Sequence, residues 1–280
     1  DDNANMLLDN LNKQIRPFIL RRKKMDVTKD LPEKMENNIF VELTDEQKKI
    51  YVAELEKVKK EIDDILKQGG EKKAAFLILP LLTKLRQICI DPKIVYPEYN
   101  GGSNKIDSLI YAIKENIANG NKILMFTSFK DAMNDVIGHL EKEDIPYYTI
   151  SGEVASKERM RRVDEFNEKK DPAVFLIMLK AGGTGLNLAS ASTVIHLDLW
   201  WNPQAENQAT DRAHRIGQTK TVEVIHIVAK GTIEEKILEL QKKKLKLSEK
   251  LIDGEIRDKD ILSSLSEKDI RELLSNENKD

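Results

Sequence analysis

Cysteine is almost missing from this chain: Cys89 is the only one among 280 residues. No internal disulfide can form, so the fold must rest on core burial, and the usage fits a reducing compartment. Cys89 lies among Leu85, Ile88 and Ile90, the setting of a buried structural thiol. The four histidines are scattered and form no metal-ligand spacing with that cysteine. No apolar run approaches the roughly 20 residues that span a bilayer, and no signal-like segment opens the sequence. Charge of either sign is not in excess. The balance of 46 Lys and Arg against 48 Asp and Glu leaves −2, so a basic surface must arise locally if at all. A phosphate-cradling loop, Gly-x4-Gly-Lys-Ser/Thr, is absent, and so is an Asp-Glu-Ala-His-like box. Lys180-Ala-Gly-Gly-Thr-Gly is no disguised version, because no Lys-Ser/Thr follows its last glycine. Nothing in the chain is expected to bind and activate ATP on its own.

What is present divides into blocks. Residues 1–36 are polar and irregular around Leu11–Leu20 and include Arg16-Pro-Phe-Ile-Leu-Arg-Arg-Lys-Lys, and a short strand is expected from Asn38 to Leu43. Thr44-Asp-Glu-Gln has the spacing of a capping box and opens an apolar helical stripe that ends at Gly69-Gly70. A second helix, about Lys72–Ile90, completes a hairpin, with Pro80 as a candidate kink. Turn formers fill 92–104. From Lys105 to Lys230, apolar strands alternate with amphipathic helices. That pattern indicates a parallel sheet covered on both faces, an α/β architecture. A long helix follows from Gly231 to about Ile252. It carries Lys242-Lys-Lys-Leu-Lys, which reads as a solvated face more readily than as a nucleic-acid patch. A short terminal helix begins near Ser264.

Two motifs stand out. The first is Lys180-Ala-Gly-Gly-Thr-Gly-Leu-Asn-Leu. The second, about twenty residues on, is Gln208-Ala-Thr-Asp-Arg-Ala-His-Arg-Ile-Gly-Gln. Together they resemble the last two helicase motifs of the SWI/SNF-type DNA translocases, a branch of the superfamily 2 helicases. Leu82-Thr-Lys-Leu-Arg-Gln-Ile-Cys-Ile-Asp-Pro resembles the helical protrusion that precedes the second motor lobe in that family. The resemblance covers most of the chain. It implies a RecA-like lobe over 105–230, an interlobe segment over 1–43, a protrusion and linker over 44–104, and a brace helix with a terminal helix over 231–280. It also implies half of a motor, whose nucleotide-binding N-terminal RecA-like lobe lies elsewhere in the same protein.

The resemblance assigns roles. Gln208, Arg212 and Arg215 are spaced four and three apart, which on one continuous helix puts them on one face. The two arginines are implied to be fingers reaching ATP and Mg2+ held mainly by the other lobe. Intrahelical pairing of Arg215 with Asp211 is the plainer reading of that spacing. Gly183 and Gly185 are implied to line the nucleotide side. Double-stranded DNA is the implied partner, touched by Thr127, Ser128, Ser151, Gly152, Lys180, Gly182 and Trp201, with Trp200 buried instead. Arg159 is expected in a salt bridge. Met178 stands where the family commonly has Ser, and Ser128 where it often has Gln. The rival class is a non-catalytic RecA-like module that binds DNA or protein; a strand-separating helicase is a nearer alternative. The expected location is bacterial cytoplasm, at the nucleoid, or the nucleus, with no membrane partner.

Overall fold

The computed structural model describes residues 31–67, 71–179, 185–248 and 267–275. Six strands form one sheet: β1 Lys34–Val41, β2 Ile123–Thr127, β3 Tyr147–Ile150, β4 Val174–Met178, β5 Thr193–His196 and β6 Val222–Ala229. Their order is β1-β6-β5-β2-β4-β3, and every pairing is parallel. Parallel neighbours need crossovers, and helices supply them. The helices are α1 Asp45–Lys67, α2 Glu71–Ile90, α3 Asn104–Ala118, α4 Lys130–Lys142, α5 Ser156–Glu168, α6 Pro203–Thr210, α7 Ile233–Ser248 and α8 Glu267–Leu273.

The central strands β2 and β4 are apolar but for Thr127 because both faces are covered. All five residues of β2 are buried. Alternate side chains serve opposite faces. Leu124, Phe126, Phe175 and Ile177 pack with the α1/α2 hairpin, α5 and α7. Ile123, Met125, Val174 and Leu176 pack with α3 and α4. Burying one such side chain is worth roughly 1.5–3 kcal/mol.

The Thr44 capping box forms as the spacing predicts. Gln47 N donates to Thr44 Oγ1, and Thr44 N donates to Gln47 Oε1. Gln47 Nε2 then reaches the Ile88 and Cys89 carbonyls, which ties the two hairpin helices together at their base. Pro80 lies inside α2, and the helix runs on through it. Gly69-Gly70 and the basic run Arg16–Lys24 lie outside the described residues. The terminal helix α8 is tied down by ion pairs: Lys243 pairs with Glu272, and Arg271 reaches Asp63 on α1.

Two elements differ from the sequence reading. The strand expected at 38–43 is longer and earlier. As β1 it is the edge of the lobe's own sheet, paired with β6 from Lys34↔Val222 to Val41↔Ala229. The motif helix is shorter. It ends at Thr210, so Arg212 and Arg215 sit in the irregular turn beyond it and not on a shared face with Gln208. The reason is a change of carbonyl partners. Arg212 N and Ala213 N bond three residues back, and the Arg212 carbonyl is taken by Leu188 N.

Candidate functional site

Strands β2, β4 and β3 are neighbours, so the turns at their carboxyl ends line up along one edge of the sheet. The first, Thr127–Phe129, is held from below by Asp198, which follows β5. Asp198 Oδ1 accepts from Thr127 Oγ1 at 2.7 Å and from Ser128 N at 2.9 Å. Phe129 N turns back onto Thr127 Oγ1. Thr127 is therefore fully buried with its hydroxyl committed, and Ser128 carries the partly exposed position of that turn. The structure thus places Thr127 beneath the surface where the sequence reading put it in contact with DNA.

The second turn follows β3. Ser151 is half-buried and Gly152 exposed. Arg159 on α5 donates to the carbonyls of Val154, Ser151 and Gly152, so it staples this turn and is not in the expected salt bridge. Lys130, at the start of α4 beside the first turn, pairs with Glu153 in the second. A Cβ added at Gly152 would meet nothing within 4 Å. The space above Gly152 is open to a ligand, and nothing in the chain itself requires a glycine there.

Lys180, Gly182 and Gly183, expected in a third turn after β4, lie outside the described residues. Gly185 resumes the chain with φ +51, a left-handed conformation that favours glycine. From there the segment 186–191 is latched to the motif turn. Arg215 Nη1 points to the Leu186 carbonyl at 3.4 Å, and Gln218 Nε2 donates to Ala191 O and Ala213 O. His214 donates to the carbonyl of Pro32. Gly185, Arg212 and Arg215 thus belong to one latched region, while Gln208 lies exposed on α6.

Arg212 and Arg215 are both partly buried. Burial holds the Arg212 guanidinium below the ordinary arginine range, and the charge of Arg215 adds to that, only partly offset by Asp211. Arg212 Nε is buried with no hydrogen-bond partner. Two cations held near each other with a donor left open suit an anion that bridges them. Among the described residues, no group of three His, Cys, Asp or Glu side chains stands ready to hold a metal ion. No helix there is long and apolar enough to cross a membrane.

Residues 104–217 match the helicase conserved C-terminal domain, and residues 2–94 match the SNF2-related domain. The break between the two falls at the linker after α2. A solved C-terminal domain of a Sulfolobus solfataricus SWI2/SNF2 ATPase is 30% identical, with a TM-score of 0.67, over 86% of this chain and 98% of that one. This chain belongs to the SWI2/SNF2 family, as its C-terminal helicase lobe. A Sulfolobus solfataricus SWI2/SNF2 ATPase core, solved in complex with double-stranded DNA, is 34% identical with a TM-score of 0.68, covering 96% of this chain and 56% of that one. An uncharacterized ATP-dependent helicase of Mycoplasma pneumoniae is 40% identical over 258 residues, 92% of this chain and 24% of its own length. The chain spans about a quarter of the length of the curated relatives it matches.

In this SWI2/SNF2 lobe both tryptophans are buried. Trp201 is 3% exposed and Trp200 9%, the reverse of the expected ranking. The Trp201 ring packs over the Arg86 guanidinium, 5.7 Å away. Sequence reasoning missed Asp198 and Arg86, which are 2% and 6% exposed and joined at 2.8 Å. A signal existed. An aspartate ending a strand as apolar as Val194–Leu197 needs a buried partner, and Arg86 stood within the quoted hairpin signature.

Proposed function

We propose that this chain is the second motor lobe of an ATP-dependent double-stranded DNA translocase. In that reading, Arg212 and Arg215 reach across to the phosphates of ATP held, with Mg2+, by the N-terminal RecA-like lobe of the same protein. Phosphoryl transfer spreads negative charge over the equatorial oxygens, and a guanidinium from a facing domain stabilises it. The observation that carries the reading is the arginine pair itself: two mutually repelling guanidiniums, one with a buried donor lacking any partner. In this reading Gly183 and Gly185 would line the nucleotide side, and Gln208 would accompany them from α6.

DNA would lie along the carboxyl edge of β2, β4 and β3. Ser128, Ser151 and Gly152 would meet its phosphates there, together with Lys180 and Gly182. Thr127 and Trp201 would act from beneath by shaping the first turn. Support for a duplex partner comes from the DNA complex of the archaeal ATPase core.

The test is ATP hydrolysis by the full-length protein, with and without duplex DNA. Arg212→Ala and Arg215→Ala are each expected to reduce the DNA-stimulated rate by about 10³–10⁵, with DNA binding retained. The isolated chain is expected to show no turnover. Full turnover by both variants would overturn the finger assignment, and absent turnover in the parent with DNA binding intact would favour a binding module.

A further inference from the structure

We propose that Arg86 is a positioning residue for the proposed DNA contact at Ser128, setting that turn from the helical hairpin through Asp198. The inference rests on the reading of the β2 turn as part of the DNA track.

The connection is short. Arg86 Nη2 donates to Asp198 Oδ2 at 2.8 Å and to the Leu199 carbonyl at 2.6 Å. The other carboxylate oxygen of Asp198 holds Ser128 N and Thr127 Oγ1. The Arg86 guanidinium also lies over the Phe129 ring, 5.2 Å from its centre, and over the Trp201 ring. One side chain of α2 therefore grips the turn after β2 and the segment after β5 together. Among the described residues of the hairpin, no other side chain is hydrogen-bonded to Asp198.

The chemistry explains why a charge is needed there. Asp198 is buried, and an ionised buried carboxylate is costly without a partner. Arg86 is that partner for Oδ2, which leaves Oδ1 to accept from both Ser128 N and Thr127 Oγ1. Without the cation, Asp198 would lose the partner that fixes its carboxylate, and the Ser128 N–H would lose a well-placed anchor. Lysine is a poor substitute. A point ammonium cannot fill the flat space between the Phe129 and Trp201 rings while bonding both Asp198 and the Leu199 carbonyl. Because the hairpin holds this grip, a shift of α2 would move Ser128. That gives a binding event on the hairpin a direct route to the DNA track.

The experiment compares Arg86→Lys with the parent full-length protein. It reads ATPase rate against duplex DNA concentration, urea midpoint, and amide hydrogen exchange of the 127–130 segment. The expected result is a half-saturating DNA concentration raised about tenfold or more, with a smaller change in the saturated rate. Faster exchange confined to 127–130 should accompany it. A merely structural role would lower the urea midpoint and the saturated rate without that local exchange signature. If Arg86→Lys fails to fold, the paired Arg86→Gln/Asp198→Asn variant removes both charges together and carries the same readouts. An unchanged half-saturating concentration with unchanged exchange at 127–130 overturns the proposal. Ser128→Ala separates the two layers. If it raises the half-saturating concentration and Arg86→Lys does not, positioning by Arg86 fails alone. If Ser128→Ala and Arg86→Lys both leave DNA dependence untouched, the track reading fails and the proposal with it.

Discussion

Lys105 and Glu234 form an ion pair in which neither side chain has any exposed surface. Lys105 opens α3 and Glu234 opens α7, so the pair joins the lobe to the helix that follows it. Glu234 also accepts from Ala229 N at the end of β6. Even beside its lysine, burial pushes the Glu234 carboxyl above its ordinary range, with the Lys105 charge and the Ala229 N–H pulling the other way.

Breaking one side of this pair should be severe. Lys105→Met leaves a buried carboxylate uncompensated and is expected to cost about 3–5 kcal/mol in a urea melt. The double variant Lys105→Met/Glu234→Leu should recover most of that loss. A double variant no more stable than the single one would mean that Glu234 matters chiefly as a cap for Ala229 N.

A pH dependence follows from His196. It is fully buried, stacked on Phe126 and on His226, with its Nδ1 unpartnered and its Nε2 3.2 Å from Thr210 Oγ1. Burial holds it well below the ordinary histidine range, with His226 and Lys34 adding to the effect. The folded state keeps His196 neutral while the unfolded chain takes up a proton below about pH 6.5. Its contribution to stability is thus present above that pH and is lost as pH falls, by up to about 1.4 kcal/mol per unit. Urea midpoints at pH 7.5 and 5.5 should converge more in His196→Gln than in the parent, and equal slopes would refute this.

Cys89 offers a cleaner probe. Burial pushes its thiol far above the usual range, and Glu234 adds to that. Reaction with a thiol reagent at neutral pH should therefore track opening of the hairpin core, and not the thiol's intrinsic reactivity. Labelling that stays fast when the protein is fully native would contradict the placement of Cys89 in the core.

Much of the fold was legible because it is local. The alternation of apolar strands and helices after Lys105 was read correctly, and the Thr44–Gln47 box formed as spaced, since each depends on neighbours in sequence. The tertiary elements were not. Whether β1 joins the lobe depends on β6, far along the chain, and Asn37 meets Glu223 only once the sheet exists. The helix end at Thr210 depends on Leu188 taking the Arg212 carbonyl, which no periodicity reveals. The Arg86–Asp198 grip was hidden for the same reason, although Arg86 stood inside a stretch already singled out. Arg159 was noticed, but its partners are carbonyls, and backbone acceptors leave no mark in a sequence.

The place of β1 at the sheet edge has a consequence for synthesis. Its partner strand emerges from the ribosome only after nearly the whole lobe has been made, so β1 must wait through most of translation. Contacts this distant in sequence form slowly. Until β6 arrives, the exposed Met35 and Phe40 and an unpaired strand edge are open to other chains. Pausing translation between β5 and β6 would thus prolong the most aggregation-prone species on the pathway, and a chain released there would expose two unpaired edges in place of one joined sheet.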